Sequence, residues 1–270
     1  MEKPLLIGAA LYDPKVSIIW EIIADFFNEN NFPVDVVFYT NYEIMVEALI
    51  GGHIDMAWNS PLAWLYSQHL SGNTCKAIAM RDTDQDRISY IVVRKDDSIN
   101  KLSDLNGEAI ALGANDSPQA TLIPLQYLIK HGLQPGKDFT YKKFNLLEGK
   151  HGDHIGGELE AFKSLEKGEV KASAMLDLNW QTWTNDGTIS PDKYMILSKT
   201  EVFDHCVFTI GKDFNAEVEK QFLDVLFSMS YENPEHRKMM DMEGLKAWKE
   251  GRTTGFNPLK EAVKVLNYFK

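Results

Sequence analysis

Short apolar runs along the chain alternate with longer stretches in which apolar residues recur every three or four positions. Leu5 to Ala10 predicts a strand. Asp13-Pro14 then predicts a cap and first helical turn, and Val16, Ile19, Trp20, Ile23, Phe26 and Phe27 form the buried face of the helix that follows. Pro33 to Phe38 predicts a second strand, and Asn41 caps a helix carrying Met45, Val46 and Leu49 that stops at Gly51-Gly52. Ile54 to Trp58 hands over through Asn59-Ser60-Pro61 to a third helix. Strand, polar cap and helix in regular succession is the rhythm of a parallel sheet wound by helices, whose ligands sit outside the carboxyl ends of the strands.

The pattern continues beyond Lys76 to Met80, a further strand. The polar run 81–87 precedes the strand Ser89 to Arg94 and reads either as a first crossing between lobes or as a solvated hairpin loop. Ile110 to Leu112 breaks at Gly113 and enters, with Ser117 as cap and Pro118 at the first position, a helix over Gln119 to Lys130. Tyr141 to Phe144 and Val170 to Leu176 are strands, 157–167 and the stretch from Asp177 are helices, and Tyr194 to Leu197 and Cys206 to Ile210 close the strand set. From Ala216 onward the pattern is helical. The expected fold is α/β in two lobes: residues 1–84 plus 203–270 in the first and 85–202 in the second, with crossings near 82–88 and 199–205. Two such lobes leave a cleft that hinge closure can narrow on a ligand.

Composition narrows the function. Against 28 basic side chains stand 39 acidic ones, a net charge of -11, which argues against nucleic acid and anionic membranes as partners without excluding a small anion held by local donors. No apolar run is long enough to span a membrane. Met1 leads almost directly into a strand, so the expectation is either a cytoplasmic protein or one from which a leader has been removed. Cys75 and Cys206 lack metal or redox spacing and read as two free thiols, the favoured reading, or as one disulfide joining distant segments.

The candidate ligand residues lie where strands end. Tyr12 and Tyr42 offer aromatic faces and hydroxyls, and Asn59 and Ser60 offer polar atoms, with Ser60 as merely a helix N-cap the stronger rival reading. Around the second-lobe turn, Asp116, Ser117, Gln119 and Thr121, with the backbone of Gln119, Ala120 and Thr121, are expected to meet an anion at a helix N-terminus. His151 and His154 lie in a glycine-rich loop whose His, Asp and His could bind a metal, contact the ligand as a lid, or simply be solvated; no metal or cofactor is assigned. Asp177 either accepts from the ligand or caps its helix, and Asp204 and His205 sit at the return crossing, where the imidazole could donate and respond to pH.

The stretch from Asn41 through Gly51-Gly-His-Ile-Asp-Met-Ala-Trp-Asn-Ser-Pro-Leu-Ala63 resembles the phosphonate-type solute-binding proteins of ABC transporters. Ser89 to Gly107 is similar to that family's entry into its second lobe, and Gly113 to Pro124 falls where the family has its serine- and threonine-rich anion turn, here Ser117-Pro118-Gln119. The resemblance implies a type-2 periplasmic-binding-protein fold that captures a phosphonate, phosphate or related oxyanion compound for an ABC permease without catalysis. A cytoplasmic enzyme or a ligand sensor on the same fold is the alternative.

Overall fold

The structure, a computed structural model, describes residues 3–152 and 156–269. In chain order it comprises β1 (Leu5–Ala10), α1 (Pro14–Glu29), β2 (Val34–Tyr39), α2 (Tyr42–Ile50), β3 (Met56–Asn59), α3 (Pro61–Ser71), β4 (Lys76–Arg81) and β5 (Ser89–Arg94). Next come β6 (Ala109–Leu112), a π turn (Pro118–Leu122) running into α4 (Ile123–Lys130), β7 (Thr140–Lys143), α5 (Gly156–Glu166), β8 (Ala172–Leu176), α6 (Asp177–Asn185) and β9 (Tyr194–Lys199). The chain ends with β10 (Val207–Ile210), α7 (Ala216–Ser228), α8 (Pro234–Glu243), β11 (Trp248–Glu250) and α9 (Asn257–Val265). None of the described helices is long and apolar enough to cross a membrane. Both cysteines are buried free thiols.

The chain divides into two compact units, the first holding residues up to Gln85 and Asp204–Gly255, the second Asp86–Phe203 and everything from Phe256 onward. It therefore passes between them three times, where the sequence predicts two crossings and a first lobe that keeps residues up to 270. The difference lies in α9. Its amphipathic face buries Leu259 and Ala262, and the helix packs on α4 while Leu266 joins the core of the second unit. Periodicity shows that such a face exists but not which sheet it covers.

In the first unit the sheet order is β11-β4-β10-β3-β1-β2. β1 runs parallel to β2 and β3, while β10 is antiparallel to β3 and β4, so the carboxyl ends of β1 to β4 share one edge with the entry to β10. The helices at that edge start as their sequences require: Asp13 Oδ1 accepts from Lys15 N at 2.9 Å, Asn41 Oδ1 from Ile44 N at 2.8 Å, and Ser60 Oγ from Ala63 N at 3.1 Å. Aromatic packing holds the sheet to its helices. The ring of Phe208 on β10 lies 5.9 Å from Trp20 of α1 and 5.3 Å from Phe222 of α7, centroid to centroid, each buried ring contributing about 1.5–3 kcal/mol.

The second unit has the order β7-β6-β8-β5-β9, with β6 parallel to β7 and β8 and β5 antiparallel to β8 and β9. Three parallel strands thus end side by side; β6 and β8 lead within a few residues into a helix, while β7 leads into the segment 144–152 that precedes α5. One face of the sheet buries Ile91, Val93, Ile110, Leu112, Leu125 and Leu128; the other buries Val92, Ala111, Phe162, Leu165, Met175 and Trp183. Covered on both faces, β8 is buried throughout, as a central strand flanked by helices must be.

Candidate ligand-binding site

The turn after β6 is built by close packing at Gly113, where a Cβ would lie 2.6 Å from the Cβ of Ala120. Ser117 then caps the helix, its Oγ accepting from Ala120 N at 3.2 Å. Its carbonyl accepts from both Thr121 N at 3.2 Å and Leu122 N at 3.0 Å, which widens the first turn into a π turn. Pro124 explains part of this. Without an N–H it cannot donate to the carbonyl four residues back, and that carbonyl, of Ala120, accepts instead from Gly113 N at 3.1 Å. The expectation of open backbone donors over Gln119, Ala120 and Thr121 is corrected at two of its three positions, since the Ala120 and Thr121 amides are satisfied by Ser117.

What the turn offers instead is side chains. Gln119 Nε2 donates to Gly152 O at 2.8 Å, which fixes the amide orientation and leaves Oε1 as a buried acceptor without a partner among the described residues. Thr121 Oγ1 and Ser173 Oγ on β8 are likewise buried with no hydrogen-bond partner among the described residues. Ser173 was not among the expected residues; a single hydroxyl in the apolar run Ala-Ser-Ala-Met-Leu was the signal that could have marked it.

Residues 145–152 form a strap over this turn. Asn115 N donates to Asn145 Oδ1 at 2.7 Å, and Asp116 Oδ2 accepts from Gly149 N at 2.6 Å and His151 N at 3.2 Å. Gly152 sits so close that a Cβ there would lie 2.4 Å from Ser117 Oγ, at a φ of 74° that favours glycine in any case. The buried His151 is thus tied to the turn through its backbone, and Asp116 Oδ1 stays buried without a hydrogen-bond partner among the described residues. His154 lies outside the described residues.

Two neighbouring strand ends complete this edge of the second unit. Glu158, at the start of α5, accepts on Oε2 from Leu176 N and Asn179 Nδ2, both at 2.8 Å. Asp177 faces Arg87, whose Nη1 lies 3.6 Å from Oδ2. Burial pushes the Asp177 carboxyl above its ordinary range, with Arg87 opposing only in part.

The expected residues of the first unit are mostly engaged inside it. Tyr42 is buried among Ala10, Met45 and Val46, and Tyr12 packs partly buried against the core under β1. Asn59 is fully buried, its Nδ2 donating to Ser67 Oγ at 2.9 Å and Thr209 Oγ1 at 3.0 Å. Ser60 acts as the helix cap described above. Asp204 accepts from Arg252 Nε and Nη2, both at 2.6 Å, and Gly255 is required beside it, because a Cβ would fall 2.0 Å from the carboxyl carbon. His205 Nδ1 lies 3.1 Å from Cys206 Sγ and 3.6 Å from Asp84 Oδ1.

The run 81–87 is anchored rather than simply solvated. Asp84 is buried, with Arg81 Nε 2.6 Å from Oδ2 and Nη2 2.7 Å from Oδ1, and Arg81 also pairs with Glu243. Burial alone would raise the Asp84 carboxyl; Arg81, then His205, outweigh it and hold the group well below the usual carboxylate range. An arginine three residues before an aspartate was the signal for this pair.

Parallel strands ending together near helix starts, with buried hydroxyls and an amide gathered at one such end, define an α/β ligand-binding protein whose ligand sits outside the strand ends. Residues 13–259 match the family model for the ABC transporter, phosphonate, periplasmic substrate-binding protein, and the chain belongs to that family. It is accordingly a solute-binding protein that works with an ABC permease, not an enzyme. Among curated proteins it is 22% identical over 240 residues, 84% of this chain and 76% of the other, to the probable ABC transporter phosphite binding protein PhnD1 of Prochlorococcus marinus strain MIT 9301. Among solved structures, PhnD1 from that organism in complex with methylphosphonate superposes with a TM-score of 0.73 at 18% identity, covering 98% of each chain. XAC2383 from Xanthomonas citri bound to ATP also superposes with a TM-score of 0.73, at 15% identity over 98% of this chain and 99% of that one.

Proposed function

We propose that the turn at 113–122, with the strap at 145–152, holds the oxyanion head of a phosphonate-class ligand. The observation that carries this reading is the pair of buried oxygens, Gln119 Oε1 and Thr121 Oγ1, that follow the Ser117 cap and have no hydrogen-bond partner among the described residues. The hydroxyls of Ser117 and Thr121 donate to the anion. Gln119 Oε1 can only accept, and the buried Asp116 Oδ1, as a carboxylate oxygen, does the same. A head group that keeps one acidic proton can donate it to one of these acceptors while its other oxygens accept from the hydroxyls; a sulfonate, with no proton to give, leaves both acceptors unpaired. That chemistry suits phosphonates, phosphite and other monoprotonated phosphorus oxyanions. It agrees with the phosphite and methylphosphonate named for PhnD1.

Isothermal titration calorimetry with methylphosphonate, phosphite, phosphate and methanesulfonate tests this. The phosphorus compounds are expected to bind and the sulfonate to bind at least about tenfold more weakly, with affinity falling as pH rises through the ligand's last ionisation. Ser117→Ala and Thr121→Val should each weaken the best ligand by roughly ten- to a hundredfold, as loss of a hydrogen bond to a charged group does. A best ligand indifferent to both substitutions would overturn the assignment of this turn.

A further inference from the structure

The first unit carries a side-chain cluster that the oxyanion reading does not use. Asp84, His205 and Cys206 are all buried, and one ligand atom from each lies within 4.8 Å of the others. In a regular strand, adjacent residues such as His205 and Cys206 point to opposite faces. Here β10 begins only at Val207, and the irregular backbone over 204–206 turns both side chains toward Asp84. The spacings are 3.1 Å from Cys206 Sγ to His205 Nδ1 and 3.6 Å from that nitrogen to Asp84 Oδ1. Tetrahedral zinc with bonds of about 2.0–2.3 Å separates its nitrogen, oxygen and sulfur ligands by roughly 3.4–3.6 Å.

We propose that Asp84, His205 and Cys206 bind a divalent transition-metal ion of the zinc class through Oδ1, Nδ1 and Sγ. On binding, the metal takes the place of the proton held between Sγ and Nδ1, the thiol proton leaves to solvent, and the fourth position falls to water. The charges match. Carboxylate and thiolate supply two negative charges to the ion, while Arg81 is neutralised by its pair with Glu243. Arg81 grips the same carboxylate through Nε and Nη2, the outer hydrogen bonding that orients ligating carboxylates. Asp84 Oδ1 also accepts from Cys206 N at 3.2 Å, so the metal shares an oxygen already in use and the site is exchangeable rather than permanent.

Cobalt titration of the full chain, free of any affinity tag, tests the site through its sulfur. One equivalent should produce a thiolate-to-cobalt charge-transfer band that zinc abolishes, that Cys206→Ser lacks, and that Cys75→Ser and His151→Asn retain. Absence of the band in the parent protein, or its survival in Cys206→Ser, would overturn the proposal. Should Cys206→Ser fail to fold by circular dichroism, His205→Asn becomes the deciding variant. It is expected to weaken cobalt binding roughly tenfold or more, and unchanged affinity would likewise end the idea.

Discussion

At the scale of single residues, identical chemistry serves opposite ends depending on what surrounds it. Asn59 and Gln119 are both buried carboxamides near strand ends, each with an amide oxygen that has no hydrogen-bond partner among the described residues, but Asn59 places its donors on Ser67 and Thr209, knitting α3 and β10 to β3, whereas Gln119 donates to the strap at Gly152. Asn59→Ala should therefore cost about 1–3 kcal/mol in urea denaturation and leave ligand affinity unchanged. Asp84 sets the acid limb of stability. Because its carboxyl is held below the ordinary range in the folded chain, its contribution is complete above the unfolded value near 3.8 and is lost as pH falls below it. Asp84→Asn should flatten that limb and cost roughly 3–5 kcal/mol at neutral pH, since Arg81 would stay buried with half its partners gone; unfolding followed from pH 7 to 2 measures both. The sequence marks Ser117, Gln119 and Thr121 as polar groups at a helix start, because capping is a local signal. It could not distinguish Asn59 from them, because the partners of Asn59 lie up to 150 positions away.

At the scale of elements, the strap and the π turn were the least legible. The cap-and-proline signature predicts a helix over Gln119 to Lys130, and a helix is there, but its widened first turn depends on Pro124 and on where Ala120 O finds a donor. Most strand and helix positions follow from periodicity; β11 does not, since three residues beside β4 carry too little pattern. One carboxylate, Asp116, accepts from two amides of the strap, which makes a sharp prediction. In Asp116→Ala, the amides of Gly149 and His151 lose their acceptor, and their hydrogen exchange should quicken by about tenfold or more while the core amides of β6 and β8 hold their rates. Unchanged exchange at those two amides would mean that the strap is kept in place by its other contacts.

At the scale of the whole molecule, the third passage of the chain alters what its last residues do. α9 completes the second unit, burying Leu259 and Ala262 against α4, with Gln126 Nε2 donating to Glu261 at 3.3 Å. A chain ended after Gly255 should keep the first unit's stability and destabilise the second by about 2 kcal/mol or more, from the apolar area exposed. Calorimetry, with hydrogen exchange assigning the transition to each sheet, checks this. The two-lobed α/β plan was readable from the repeated strand-to-helix rhythm, and the family from the segments at 41–63 and 89–107. The owner of the last helix was not, for amphipathicity names a buried face without naming its partner.

The place of β10 between β3 and β4 has a consequence for the order in which the protein can be made. A ribosome delivers β3 and β4 well before Val207–Ile210 exists to join them, so both strands wait with bare edges while the whole of the second sheet is synthesised. The second sheet is the first for which all strands are available, and the nascent first sheet is the segment that a holding chaperone would have most reason to cover.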